Sequence, residues 1–189
     1  RYLAHQRPLV RAALSQLTLG QGESDEEAQA QEEALEEKVR LADQRIESVL
    51  AALRAAARPP IRRVVDFGCG EGRLLRRLAD EPLFEEVAGV DVSSVARARA
   101  EKRLLVDWRP HLRERVKLLL GSLLYDDKRL HGWDAIVLVE VIEHIALERL
   151  DLVAKVLFER LRPRRLVITT PNREFNVRFD GLAKGKLRH

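Results

Sequence analysis

Asp66-Phe67-Gly68-Cys69-Gly70-Glu71-Gly72 is the stretch that decides the fold. It follows a short apolar run, Arg63-Val64-Val65, and precedes Leu74, Leu75 and Leu78 at helical spacing. It therefore reads as the turn between a buried strand and a helix spanning about Glu71 to Ala79. Glycines in such a turn allow positive φ and let a ligand approach the backbone next to the free N–H groups of a helix start. Nineteen residues after Gly72 comes Asp91, at the tip of a second apolar run, Val87-Ala88-Gly89-Val90-Asp91-Val92. An acidic side chain at that place can accept both ribose hydroxyls of a nucleoside cofactor.

Two classes of cofactor would suit a strand, glycine turn, helix and acid-tipped strand. A dinucleotide turn has the form G-x-G-x-x-G and would need glycine at position 73, which is Arg73 here. The pattern present is Asp-x-Gly-x-Gly-x-Gly, with a carboxylate ahead of the first glycine. That acid would repel a pyrophosphate and suits a cationic cofactor with an amino-acid moiety.

Outward from this turn, apolar runs alternate with helical patterns. Helices are expected at about Ser94 to Leu105 and about Glu148 to Arg160. Further strands are expected at Val116–Leu120, Ala135–Glu140 and Leu166–Thr170, with mostly loop between the first two. Continuous apolar strands separated by helices predict a doubly wound α/β domain with at least five parallel strands, covered on both faces. Before residue 60 the chain reads as helical. Leu9, Val10, Leu14 and Leu17 suggest a short helix, with Leu3 just ahead of it. A longer helix follows from about Asp25 to Ala57, striped by Leu35, Val39, Ile46, Val49, Leu50 and Leu53 and ended by Pro59-Pro60. We expect residues 1–60 to form a helical extension with an acidic stretch and 61–189 the α/β domain.

With 189 residues, 46% hydrophobic and 34% charged, the chain is long enough for one cored domain with an appendage. No apolar stretch reaches the length of a membrane span and no secretory signal opens the chain, so no membrane partner is expected. A single cysteine, Cys69, makes the cytoplasm the expected compartment. The absence of methionine, even at position 1, suggests a fragment. The net charge of +4 hides an asymmetry. Residues 22–38 are acidic (Glu23, Asp25, Glu26, Glu27, Glu32, Glu33, Glu36, Glu37) and read as an exposed helical face. The stretch from Arg160 through Arg162, Arg164, Arg165, Arg173 and Arg178 to Arg188 is basic, which suggests a polyanionic substrate as readily as a solvated surface.

At the end of the fourth strand, Val139-Glu140-Val141-Ile142-Glu143-His144-Ile145 places two carboxylates and an imidazole at the lip of an apolar run. Such groups are costly to desolvate unless a cation pairs with them, and oxygen with imidazole nitrogen suits Mg²⁺, Mn²⁺ or Zn²⁺. The alternative is a helix start just past a strand, with Glu143 favoured by the dipole and His144 half exposed.

The acid-first glycine turn resembles motif I of class I methyltransferases that use S-adenosylmethionine, and Asp91 matches the ribose-binding acid of that fold. More narrowly, E-x-x-E-H followed by Thr170-Pro171-Asn172-Arg173-Glu174-Phe175-Asn176 resembles the small-RNA 3′-terminal 2′-O-methyltransferases. That family includes a bacterial RNA-repair methyltransferase that works with a polynucleotide kinase–ligase. The likeness covers roughly residues 60–189.

The resemblance implies S-adenosylmethionine held by Asp66, Gly68, Gly70, Gly72, Asp91 and Ser122, with Gly121-Ser122-Leu123 near the adenine. It implies a divalent metal, Mg or Mn, on Glu140, Glu143 and His144, which are also the expected catalytic residues. A second histidine completes that metal set in the family, from an Asp-His segment that does not occur before His189. His189 would be the substitute, and the last strands of the fold would be missing. The expected substrate is an RNA 3′ end with a 2′,3′-diol, and the expected partner a kinase–ligase. Asn172 and Arg173 would touch RNA, and no role is assigned to Asp126 or Asp127. Two alternatives stay open. One is a metal-independent methyltransferase of a small molecule or protein; the other is a non-catalytic docking domain.

Overall fold

The computed structural model describes residues 25–55, 59–107 and 114–171. The short helix expected near Leu9–Leu17, Asn172, Arg173 and His189 lie outside these residues. Helix α1 is Asp25–Arg54. Strand β1 is Arg63–Phe67, followed by α2 at Arg73–Asp80 and β2 at Glu86–Asp91. Helix α3 is Ser94–Asp107 and strand β3 is Val116–Leu120. A single 3₁₀ turn, Lys128–Leu130, interrupts the loop before β4 at Ala135–Val139. After β4, a second 3₁₀ turn at Ile142–His144 leads into α4, Leu147–Lys155. This helix widens into a π-type turn at Val156–Leu161, ended by Arg162 at φ 47° with its N–H on the Leu157 carbonyl. Strand β5 is Arg165–Thr169.

The five strands form one sheet in the order β3-β2-β1-β4-β5, all parallel, as the alternation of apolar runs and helices predicts. Adjacent residues of β1 divide the core between two faces. Val64, with Val87, Ala135 and Val137, packs on Ile46, Val49, Leu50 and Leu53 of α1 and on Leu74, Leu75 and Leu78 of α2. Val65 and Phe67, with Ala88, Val90, Ile136 and Leu138, pack on Trp133 and on Val153, Val156, Leu157 and Leu161. Burial on both sides explains why these strands read as unbroken apolar runs rather than alternating ones. The α1 stripe differs from its prediction, because only its positions from Ile46 onward are core and Leu35 is 54% exposed. Arg45 to His189 forms one compact unit, which contains the whole sheet. No helix among the described residues is long and apolar enough to cross a membrane.

The chain runs from β1 outward to β3 and then returns to the far side of β1 to lay down β4. The carboxyl ends of β1 and β4 therefore lie side by side at the point where the winding reverses, with Asp66 opposite Val137 and Phe67 opposite Leu138. Ligands of open α/β sheets bind at that point.

Candidate active site

The glycine turn takes the form its residues require. Gly68, Gly70 and Gly72 have φ of 71°, 52° and 79°, in the left-handed region that side chains avoid. Gly68 also needs to be small: a Cβ there would lie 2.5 Å from Cγ2 of Val141, just past β4. At Gly70 a Cβ would meet nothing within 4 Å, so the backbone there faces open space that a ligand can enter. Asp91 fastens this turn to β2. Its Oδ2 accepts the Gly70 N–H at 2.9 Å and its Oδ1 accepts the Ser93 N–H at 2.8 Å. These bonds aim the carboxylate while leaving each oxygen a further lone pair for a hydroxyl donor.

Asp66 is the only buried charged residue of the core among the described residues, and its Oδ2 has no hydrogen-bond partner. Burial first, and the Asp91 carboxylate second, push its pKa up to about 8. An unpaired carboxyl held neutral beside a glycine cradle is a poor structural element and a good receiver for a cation. Cys69, between the two acids, is pushed up to about 12 by burial, Asp66 and Asp91, so it stays a thiol and is not a nucleophile.

The loop after β3 is pinned by residues to which the sequence reading gave no role. Asp127 accepts the Arg129 backbone N–H at 3.0 Å and its Nε–H at 2.9 Å, and Arg129 Nη2 donates to the Leu120 carbonyl at 2.9 Å. Asp126 Oδ1 meets His131 Nε2 at 2.5 Å. Asp127 and Arg129 thereby hold Gly121 and Ser122 against the tip of β2, where the Gly121 N–H reaches the Asp91 carbonyl at 3.0 Å.

Across the switch point, β4 ends one residue earlier than expected. Glu140 has φ 55°, an uncommon conformation for a residue with a side chain, and its N–H bonds the Thr169 carbonyl at 3.0 Å. Such strain persists where the surroundings over-determine it and gathers at functional sites. Glu140 Oε1 lies 3.4 Å from Arg45 Nε and 3.4 Å from the Thr169 hydroxyl. Burial raises the Glu140 pKa, Arg45 opposes this, and Glu143 adds to it. Glu143 Oε2 is buried with no hydrogen-bond partner. His144 is exposed, closing the 3₁₀ turn with its N–H on the Val141 carbonyl at 3.1 Å. Among the described residues no group of three His, Cys, Asp or Glu side chains is arranged to hold a metal ion.

One cavity of about 460 Å³ joins the two halves. Gly68, Asp91, Gly121 and Ser122 line one side, and Glu140, Val141, His144 and Arg149 line the other. The expected nucleoside site and the E-x-x-E-H turn thus share one space, and Arg149 is a lining residue that the sequence reading passed over. Four members of the basic stretch lie elsewhere. Arg160 and Arg162 flank the end of the π-type turn, and Arg164 and Arg165 enter β5 at its amino end, on the sheet edge opposite the cavity. Arg164 Nε lies 3.5 Å from Asp134 Oδ1, and its Nη2 donates to the carbonyls of Pro59 and Pro60. These arginines therefore do not supply the positive surface for a substrate at this cavity.

The sequence and fold are similar to those of known proteins. A family described as a methyltransferase domain matches residues 65–164. The crystal structure of the methyltransferase domain of bacterial CtHen1 superposes with a TM-score of 0.69 at 42% identity, covering 77% of this chain and 74% of that one. The crystal structure of the small RNA methyltransferase HEN1 gives 0.64 at 37% identity, over 72% of this chain and 18% of that one. A small RNA 2′-O-methyltransferase of Arabidopsis thaliana is 36% identical over 140 residues, which is 72% of this chain and 14% of the relative. Its counterpart in Schizosaccharomyces pombe is 36% identical over 135 residues, 66% of this chain and 35% of the relative. The chain thus spans only a part of these curated relatives.

Proposed function

Because the chain belongs to the small RNA 2′-O-methyltransferase family, built on a methyltransferase domain, we propose that it methylates the 2′-hydroxyl of the 3′-terminal nucleotide of an RNA, with S-adenosylmethionine as donor. The observation that carries this reading is the shared cavity, since methyl transfer needs donor and nucleophile in line within one water-poor space. S-adenosylmethionine supplies a methyl group on a sulfonium; in the transfer the 2′-oxygen–carbon bond forms, the carbon–sulfur bond breaks, and the hydroxyl proton leaves. Asp91 accepts the ribose hydroxyls of the donor, the glycine turn and Ser122 shape its bed, and the orphaned Asp66 Oδ2 faces its cationic amino-acid end.

Glu140, Glu143 and His144 present a donor set suited to Mg or Mn, and the unpartnered Glu143 oxygen fits such an ion. For the three to converge, Glu140 must leave Arg45, which otherwise stands in as its counter-charge. A metal there would supply Lewis acidity that lowers the pKa of a ribose hydroxyl. One of the two glutamates takes the departing proton. We further propose that the reaction serves RNA repair beside a polynucleotide kinase–ligase, which the motif resemblance to the small-RNA 3′-terminal 2′-O-methyltransferases implies.

Matched RNAs ending in a 2′,3′-diol, a 3′-phosphate or a 2′-deoxyribose test the reading, with tritiated donor as label. Only the diol end should accept methyl groups. Equal labelling of the 3′-phosphate end would remove the terminal-diol assignment, and labelling of protein or small molecules with none of RNA would remove the whole reading.

Asp66 makes a further prediction. Its folded pKa of about 8 exceeds the ordinary carboxyl value of 3.8. Its contribution to stability is therefore complete below about pH 4 and is lost as pH rises through about 8. A cation bound beside it reverses the preference, so donor binding should release a proton at pH 7. Affinity should then rise with pH, by up to about tenfold per unit, until about pH 8. Calorimetry in buffers of different ionisation enthalpy measures that proton, and Asp66→Asn should abolish the part of the release that belongs to the protein.

A further inference from the structure

Resting on the proposed RNA reading, we propose that Arg149 binds the phosphodiester just 5′ of the terminal nucleotide, and so makes the cavity accept a polynucleotide end and reject a free nucleoside. Three observations carry this. Arg149 lines the cavity on the side of Glu140 and His144, away from the glycine turn and β2. It forms no side-chain hydrogen bond or ion pair among the described residues, whereas Arg45, Arg54, Arg62, Arg63, Arg77 and Arg164 each face a carboxylate. It also sits in the first turn of α4, where the helix dipole opposes a positive charge. A cation kept unpaired at an unfavourable position beside an active-site cavity is explained by an anion that arrives with the substrate.

The chemistry selects which anion. The cavity wall that includes Glu140 and His144 is where a ribose bearing 2′- and 3′-oxygens would sit. The nearest anion on that ribose is its 5′-phosphate, and a guanidinium matches the two unesterified oxygens of a phosphodiester. The donor's carboxylate is the other anion that could enter, and the proposed donor site is at the glycine turn, apart from the wall that carries Arg149. The arginines of the basic stretch that fall within the described residues open on the other edge of the sheet, so among the described residues Arg149 is the Arg or Lys that lines the cavity and can read this phosphate.

The test is binding and turnover with a 5′-fluorescein RNA ending in a 2′,3′-diol, and with the same RNA carrying one methylphosphonate at its last linkage. Wild type, Arg149→Ala and Arg149→Lys are compared by anisotropy over a salt series and by methyl-transfer kinetics. Arg149→Ala should weaken RNA binding about tenfold and lower the salt slope by roughly 0.7, the value for one contact to a single strand. KM for RNA should rise in step while the donor's Kd stays unchanged, and Arg149→Lys should recover part of the loss. The methylphosphonate should weaken the wild type by a similar factor and Arg149→Ala hardly further.

Equal RNA affinity and salt slope in Arg149→Ala, or additive losses from the variant and the methylphosphonate, overturn the proposal while leaving the methyltransferase reading intact. A weakened donor Kd would reassign Arg149 to the donor's carboxylate. RNA that the wild type neither binds nor methylates would remove the proposed function, and Arg149's role with it.

Discussion

Alanine at Glu140, Glu143 or His144 should abolish methyl transfer, by roughly a thousandfold or more, while the donor's affinity should change little. A ribose hydroxyl is a poor nucleophile at neutral pH, so removing the groups that activate it acts on kcat. The proposed donor site is built from β1, β2 and the loop after β3, and among the described residues Glu140 instead meets Arg45 and Thr169. Calorimetry with S-adenosylmethionine and single-turnover kinetics with RNA separate the two effects in one set of variants. A chelator should reproduce the loss, and added Mg or Mn should reverse it in the wild type but not in the variants. If the chelated protein keeps full activity, the metal assignment fails, and Glu140 and Glu143 return to a structural strand end neutralised in part by Arg45.

Asp91→Ala should weaken donor binding by about a hundredfold, near 3 kcal/mol, because two hydrogen bonds to a charged acceptor would be lost together. A second effect adds to the first. Asp91 also accepts the Gly70 and Ser93 N–H groups, so its removal frees the glycine turn as well as the ribose. Asp91→Asn distinguishes the two contributions, since the amide keeps one acceptor for the backbone but cannot accept from both ribose hydroxyls. Tight binding of a nicotinamide dinucleotide with no response to S-adenosylmethionine would refute the cofactor assignment altogether.

The pair Asp127–Arg129 shows why some of the site escaped a reading of residue types. Two aspartates in a polar loop look like solvated charges, and only the folded loop shows Arg129 turning back to the Leu120 carbonyl behind the nucleoside site. Arg149 escaped for a similar reason. Within the amphipathic pattern of Glu148 to Arg160 it occupies a polar position, which predicts exposure but not exposure to a cavity. For the four described arginines of the basic stretch, position in the fold matters more than count. Charge counted along the chain takes no account of which end of a strand it falls on, and Arg164 and Arg165 open β5 at the edge away from the cavity.

What could be read from the chain alone was governed by neighbours in sequence. Unbroken apolar runs between helical spacings specify a parallel sheet covered on both faces. Three glycines behind Asp66 specify a turn with positive φ, and the interval from Gly72 to Asp91 is the length of one helix and one strand. The residue types of E-x-x-E-H were equally legible, because an acidic and imidazole-bearing strand end is conspicuous after Ala135–Val139. Tertiary structure decided which of these groups meet. The return of the chain across β1 to lay down β4 sets the register that brings Val141 over Gly68 and opens one cavity to Asp91, His144 and Arg149 together. The left-handed backbone of Glu140 and its pairing with Arg45 arise the same way. Contacts of that kind depend on strand order and on helices packing from both faces, and no spacing of residues along a single segment encodes them.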